Sequence, residues 1–135
     1  MAVKRTRFLS PTRATQSKYG NMKATYMGIE FDSMKEANRY AELLMLQKAG
    51  EISELNMQVP FELVPPQFAP DIIGPRGGIR RGECIEKAVV YRADFVYKNK
   101  AGETVVEDTK GFRTADYIIK RKLMLYVHKI RIHEI

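Results

Sequence analysis

The chain has 135 residues, of which 44% are hydrophobic and 29% charged, a balance typical of a globular protein of one domain. No run approaches the roughly 18 apolar residues of a membrane span, and no apolar stretch follows the basic N-terminus as it would in a signal peptide, so neither is predicted. Cys84 is the single cysteine, which rules out an internal disulfide and favours a reducing, cytoplasmic location.

The net charge of +7 is concentrated at the N-terminus. Residues 1–29 contain six basic residues and no acidic one, whereas the remaining 106 hold 17 basic and 16 acidic groups. A basic arm is typical of proteins that hold a polyanion, although a solvated tail has the same composition. We predict a disordered arm over residues 1–18, a folded domain over 19–135, and these DNA contacts near the N-terminus: Lys4, Arg5, Arg7, Arg13, Lys18 and Lys23.

The first predicted elements are a bent strand or short hairpin in "KATYMGIEF", broken at Gly28, and a helix over residues 34–49. Ser33 and Glu36 have the spacing of a capping box, and Gly50 marks the end of the helix. The predicted buried stripe is Ala37, Tyr40, Ala41 and Leu44. Glu36 lies at the edge of this stripe, so it either only completes the capping box or also faces the body of the domain.

A strand is predicted over residues 54–64, with Pro60 indicating an edge position or a bulge. Residues 65–87 are rich in proline and glycine and are predicted to form a flexible loop. Its "GPRGGIRRGE" lacks the Gly-Lys-Ser/Thr ending of a nucleotide-binding loop, so no nucleotide cofactor is expected. Three arginines of this loop are predicted either to contact a phosphate backbone or to be solvated: Arg76, Arg80 and Arg81.

Charged residues interrupt the next two strands, "YRADFVYK" and "TVVEDTKG". A hairpin that turns at residues 99–102 is centred near position 101 and places Asp94 opposite Asp108. Opposed β-carbons are about 5 Å apart, so two carboxylates there repel each other unless a cation lies between them. Lys110 shares a face with Asp108 but lies one side-chain repeat along the strand. We therefore predict a divalent metal between the two aspartates, with Lys110 left free to meet a substrate.

A second helix is predicted from Ala115 to about His128, with Thr114 as N-cap, and "IRIHEI" is predicted to form the last strand. The order is helix, three strands, helix, strand, an α/β arrangement. Further basic residues lie beside or after the charged strand and are predicted to contact DNA: Arg113, Lys120, Arg121 and Lys122.

These residues resemble the PD-(D/E)XK nuclease superfamily, in particular a group of small phage and prophage proteins with an "FDS-x-x-EA-x-RY" helix start and a "V-V-E-D-x-KG" strand. The resemblance covers about residues 19–135. Asp94, Asp108 and Lys110 match the core signature, with Ala93 where the superfamily name has proline. The resemblance implies a restriction-endonuclease-like αβββαβ core with a mixed central sheet flanked by helices.

The resemblance also implies phosphodiester hydrolysis. Mg²⁺, for which Mn²⁺ is expected to substitute, would be held by Glu36, Asp94, Asp108 and the carbonyl of Thr109, since Mg²⁺ prefers oxygen ligands. Lys110 would orient the nucleophile or neutralise charge on the phosphorus centre. Gln58 would border the site, and Glu107, on the opposite face of its strand, would have a structural or surface role.

Similarity to phage enzymes that resolve Holliday junctions favours branched DNA as substrate, a homodimer, and action in the bacterial cytoplasm. Two other classes remain open. One is a non-catalytic nucleic-acid-binding or packaging protein that retains the nuclease fold, and the other is a small regulatory or RNA-binding module with a basic arm. Metal-dependent cleavage distinguishes the nuclease from both.

Overall fold

The structure is a computed structural model that describes residues 23–135. The arm predicted over residues 1–18 lies outside the described residues, and so do five predicted DNA contacts, Lys4, Arg5, Arg7, Arg13 and Lys18. The chain divides into two compact units, the first ending at Glu51 and the second running from Ile52 to Ile135. Among the helices of the described residues, none is long and apolar enough to cross a membrane.

A short hairpin opens the first unit. Strands β1 (Ala24–Tyr26) and β2 (Ile29–Phe31) are antiparallel, and Met27 and Gly28 join them with φ angles of 50° and 78°. Two successive positive φ angles are typical of the two-residue hairpin turn that matches the twist of its strands. The break predicted at Gly28 is therefore a hairpin turn.

Helix α1 follows and runs from Met34 to Lys48. The Oγ of Ser33 accepts a hydrogen bond of 3.1 Å from the backbone N–H of Glu36, which confirms the predicted N-cap. Ala37, a member of the predicted stripe, is buried together with Glu36 and with Leu43, whose burial was not predicted. The other members of the predicted stripe, Tyr40, Ala41 and Leu44, are half-buried. The buried face is thus rotated towards Glu36, which lies within it rather than at its edge.

The second unit begins with strand β3 (Ser53–Val64), which occupies one edge of the main sheet. Pro60 has no N–H to give to a second neighbouring strand, so an edge position leaves no hydrogen bond unmade. The edge predicted from Pro60 is confirmed. Glu54 and Gln58 have positive φ angles of 56° and 50°, which makes the backbone of this strand irregular.

Residues 65–87 contain four short strands, β4 (Gln67–Phe68), β5 (Ile72–Ile73), β6 (Ile79–Arg80) and β7 (Cys84–Glu86). Strand β4 pairs with β7, and β5 pairs with β6. A β-carbon on Gly82 would lie 2.2 Å from the carbonyl oxygen of Ala69, so the close approach of these two segments requires glycine. The prediction of a loop without secondary structure is wrong, because prolines and glycines here permit tight turns and close contacts.

The predicted hairpin consists of strands β8 (Val89–Lys98) and β9 (Thr104–Asp108). Its ladder extends from Lys98 opposite Thr104 to Phe95 opposite Glu107, which confirms the predicted centre of pairing. The side chain of Asn99 closes the turn by accepting the N–H of Glu103 at 2.9 Å.

Helix α2 spans Ala115–Leu123, continues as a π-helical turn over Met124–His128, and leads to strand β10 (His133–Glu134). Thr114 is its N-cap as predicted, accepting the N–H of Tyr117 at 3.3 Å. Strand β10 is parallel to β9, so the main sheet has the mixed order β10-β9-β8-β3. Its core is formed by Leu63, Tyr91, Ala93, Val106, Tyr117, Met124 and Ile132.

The described residues therefore form a mixed α/β structure with a central mixed sheet and two α-helices. The helices and strands predicted from residue 34 onwards occur in the predicted order, α1, β3, β8, β9, α2 and β10.

Candidate active site

Asp94 and Asp108 lie where β8 and β9 separate. The last paired residues of the ladder are Phe95 and Glu107, and the two aspartates are the next residues on each strand. The Oδ2 of Asp94 accepts two hydrogen bonds of 2.8 Å, from the backbone N–H and the Oγ1 of Thr109. The predicted opposition of the two aspartates is confirmed, and Thr109 fixes the orientation of one of them.

Asp108 is almost completely buried, with 2% of its surface exposed. Its Oδ2 accepts a hydrogen bond of 2.6 Å from the hydroxyl of Tyr91. Its Oδ1 accepts no well-aligned hydrogen bond within the described residues. Burial raises the pKa of the Asp108 carboxyl, and the nearby charge of Asp94 adds to this effect, whereas Tyr91 and Lys110 oppose it.

Lys110 is closer to the carboxylates than predicted. Its Nζ lies 3.1 Å from Oδ1 of Asp108 and 4.4 Å from the centre of the Tyr117 ring. The prediction of a lysine free of the aspartates is wrong, because β9 ends at Asp108 and the strand spacing no longer applies to Lys110. This lysine supplies Asp108 with one positive charge that is still partly exposed, at 27% of its side chain.

Gln58 lies on β3, opposite Asp94 on β8. The pairs Met57 with Phe95 and Val59 with Ala93 place it opposite this aspartate. Its Nε2 is 3.4 Å from Oδ1 of Asp94, a long hydrogen bond. Gln58, predicted to border the site, therefore lies next to Asp94.

Glu107 is a neighbour of Asp108 in sequence with a different environment. It is 2% exposed, and its Oε1 accepts a hydrogen bond of 2.6 Å from the hydroxyl of Tyr97. Neither Glu107 nor Tyr97 lines the cavity that opens beside the two aspartates and is described next. The structural role predicted for Glu107 agrees with this burial.

A cavity of about 460 Å³ opens beside the two aspartates. Its charged lining comprises Arg92, Asp94, Asp108, Lys110, Asp116 and Lys120. Lys120, predicted to contact DNA, therefore lies beside the aspartates. Tyr91 was not predicted, because alternation places it on the opposite face from Asp94.

The chemistry of these groups fits a hard divalent cation such as Mg²⁺. Carboxylate oxygens are its preferred ligands, and a buried carboxylate oxygen without an aligned donor gains from a cation. No group of three or more His, Cys, Asp and Glu is arranged to hold a metal over residues 23–135. Asp94 and Asp108 are therefore carboxylates that could hold a metal at this end of the hairpin, and the carbonyl of Thr109 stays a prediction.

Glu36 belongs to the first unit, where its side chain is 6% exposed. Its backbone N–H donates to the Oγ of Ser33, which is one of the two hydrogen bonds of the predicted capping box. Its metal role stays a prediction that rests on the resemblance.

The other predicted DNA contacts have varied surroundings. Lys23 forms an ion pair of 2.9 Å with Glu30, and Arg81 stacks on Phe68 with its guanidinium carbon 3.6 Å from the ring centre. Arg76 and Arg80 are exposed.

A second cavity, of about 660 Å³, gathers three more of the predicted contacts around Glu134. Its charged lining is Arg113, Arg121, Lys122, Arg131 and Glu134, with His133 beside them. Arg131 and Glu134 were not predicted. One signal was present, because Glu134 occupies a position where the alternation of "IRIHEI" calls for an apolar residue.

A family model described as "Protein of unknown function (DUF1064)" matches residues 16–134. Searches of curated proteins and of solved structures gave no match.

Proposed function

This chain belongs to the DUF1064 family, whose function is unknown, and we propose that it is a metal-dependent endonuclease that hydrolyses phosphodiester bonds in DNA. The observation that carries the proposal is the grouping of two aspartates and a lysine at the open end of one hairpin. Asp94 and Asp108 are neighbours across the strands, and the Nζ of Lys110 is 3.1 Å from a buried oxygen of Asp108. Two carboxylates and an ammonium group suit the handling of a phosphate.

The proposed core is of the restriction-endonuclease-like αβββαβ kind. It is supported by the order α1, β3, β8, β9, α2 and β10 and by the mixed sheet in which β10 is parallel to β9. The signature residues, Asp94 on β8 and Asp108 on β9, come from the middle two strands of that sheet. The agreement of topology and signature favours this core over a chance pair of acids.

Asp94 and Asp108, with the carbonyl of Thr109, are the proposed metal ligands. When bound, Mg²⁺ or Mn²⁺ would supply Lewis-acid chemistry, lowering the pKa of water and stabilising charge at phosphorus. Thr109 and Tyr91 hold the two carboxylates in place through their hydrogen bonds. Lys110 orients the attacking water or neutralises the charge that develops on the phosphoryl oxygens.

Branched DNA, a homodimer and action in the cytoplasm of a bacterial host are further parts of the proposal that rest on the resemblance alone. The second unit has the exposed Arg76 and Arg80 as well as the basic cluster around Glu134, which suits a substrate recognised by its backbone and shape rather than by base sequence.

The experiment is cleavage of labelled four-way junction, linear duplex and single-stranded DNA by the purified protein in Mg²⁺, Mn²⁺ or EDTA. We expect cleavage with either metal, none in EDTA, and none by Asp94→Asn, because that variant loses a negative charge without a change of shape. Equal cleavage by Asp94→Asn and its parent would sink the assignment. Equal affinity for junction and duplex would remove branched DNA from the proposal. Binding that EDTA does not change, without cleavage in any metal, would indicate the non-catalytic protein that retains the fold.

Glu36 has its own test. Glu36→Gln keeps the backbone N–H that Ser33 caps, so α1 should form as in the parent. If the carboxylate serves the metal as the resemblance implies, cleavage falls while circular dichroism is unchanged. Full activity of this variant would limit Glu36 to the helix start.

A further inference from the structure

The cavity around Glu134 has an excess of positive charge that its own carboxylate does not balance. Four cationic side chains and one carboxylate line it, a net of three positive charges, and the imidazole of His133 lies beside them. Like charges gathered around one cavity repel each other, and an anion in the cavity relieves that repulsion.

Glu134 organises part of this cluster. Its Oε1 accepts a hydrogen bond of 2.8 Å from Arg121, and its Oε2 accepts one from Nε of Arg113. Only 17% of the Glu134 side chain is exposed, so one carboxylate at the base of the cluster holds two guanidinium groups. Guanidinium groups held in a fixed orientation lose less freedom when they bind the oxygens of a phosphate.

The place of this cavity in the sheet relates it to the aspartates. Glu134 on β10 is in register with Asp108 on β9, and both strands belong to the second unit. Neighbouring strands are about 4.8 Å apart. Successive phosphates of one DNA strand are about 3.4 Å apart along the duplex axis, so a strand that reaches Asp108 has another phosphate within reach of the cluster.

We infer that the cavity lined by Arg113, Arg121, Lys122 and Arg131 binds a backbone phosphate of the nucleic-acid strand whose neighbouring phosphodiester meets Asp94 and Asp108. Glu134 is a positioning residue for two of the arginines. The inference rests on the proposed function for the identity of the strand, but the phosphate contact itself requires no metal and no cleavage.

The test measures binding of a fluorescein-labelled duplex and a four-way junction in EDTA at several salt concentrations. Lys122→Gln and Arg131→Gln should each weaken binding several-fold and lower the slope of log affinity against log salt by about one, the value expected for one lost phosphate contact. The matched control is Lys100→Gln, which removes the same charge at the hairpin turn, away from both cavities. It should leave the slope unchanged.

Glu134→Gln separates positioning from net charge. This variant makes the cavity more positive, so charge alone predicts tighter binding, whereas loss of the anchored guanidinium groups predicts weaker binding. We expect several-fold weaker binding, and tighter binding would overturn the positioning role.

The outcomes distinguish the two proposals. If Lys122→Gln and Arg131→Gln bind DNA with the parent's affinity and slope, the phosphate site is wrong even where cleavage by the parent is normal. If they weaken binding while the parent cleaves nothing in any metal, the phosphate site stands and the nuclease fails. Calorimetry with inorganic phosphate covers a different source of the ligand. If Lys122→Gln and Arg131→Gln lose binding of inorganic phosphate but keep the parent's salt slope for DNA, the assignment to a nucleic-acid strand is overturned.

Discussion

Asp108 and Glu134 are register partners on adjacent strands, yet their surroundings are opposite. Burial raises the pKa of Asp108, and the cation nearest to it among the described residues is the single ammonium of Lys110. The hydrogen bond from Arg121, followed by that from Arg113, lowers the pKa of Glu134. Asp108 therefore has one cation beside it, whereas Glu134 lies among four cationic side chains.

This difference indicates what each cavity can bind. A buried carboxylate with an oxygen that lacks an aligned donor favours an added cation. A carboxylate that anchors two arginines among further cations favours an added anion. A metal-dependent nuclease must bind both a metal ion and phosphate groups, so the contrast between the two cavities supports the proposed function. The following predictions test it, from the largest expected effect to the smallest.

Cleavage should depend on Lys110 far more than on Lys120, although both lysines line the cavity beside the aspartates. Lys110→Met keeps an unbranched apolar side chain but removes the ammonium group at Asp108, and we expect cleavage to fall about 100-fold, as for the loss of one group that stabilises developing charge. Lys120→Met, a change of the same kind in the same cavity, should have a much smaller effect. Single-turnover cleavage rates in Mg²⁺ measure both. Equal losses would remove the special role of Lys110.

A divalent metal should stabilise the parent protein against heat. Free Mg²⁺ at about 100 times its dissociation constant adds about 2.7 kcal/mol, which shifts the melting temperature of a small domain by on the order of 10 °C. Asp108→Asn should lose this shift. In EDTA this variant should be at least as stable as the parent, since it no longer buries a charge. A thermal scan with and without Mg²⁺ measures each shift, and a full shift in Asp108→Asn would place the metal elsewhere.

Two tyrosines provide a matched pair. Tyr91 donates to Asp108 and Tyr97 donates to Glu107, each at 2.6 Å. Tyr91→Phe should cost about 1–3 kcal/mol, because it leaves a buried carboxylate oxygen without its donor. It should also slow cleavage, since Asp108 is less firmly held. Tyr97→Phe should lower stability and leave cleavage unchanged. Urea unfolding and cleavage rates measure the pair, and equal loss of cleavage in both would contradict the distinction between the two carboxylates.

The smallest effect concerns acid. Because the pKa of Glu134 is lowered below its ordinary value of 4.5, its ion pairs stabilise the folded state above that value. This stability is lost as the pH falls through the folded-state pKa. Glu134→Gln should therefore be less stable than the parent at pH 7, by about 1 kcal/mol or less as for exposed ion pairs. The difference should disappear once the pH is below that folded-state pKa. Melting temperatures across pH test this, and a difference that persists in acid would assign it to packing.

The helix caps, the hairpin turn and the aspartate pair could be predicted because each depends on residues close in sequence. Ser33 and Thr114 cap through their neighbours three residues on, and Asn99 closes its turn within four residues. The register that opposes Asp94 to Asp108 follows from the position of that turn. The prediction for residues 65–87 was wrong because prolines and glycines were interpreted as signs of a segment without strands, whereas four short strands pair there.

By itself, the sequence determined the order of the predicted elements and the register that places Asp94 of β8 opposite Asp108 of β9. Only the tertiary structure decided which groups surround each carboxylate. Tyr91 donates a hydrogen bond to Asp108, Lys110 reaches Asp108 because β9 has ended, and Glu134 meets its arginines through the parallel pairing of β10. The rules of alternation and turn geometry describe regularly paired strands, so they no longer predict side-chain contacts where the pairing ends. Asp94 and Asp108 lie at the end of the paired ladder.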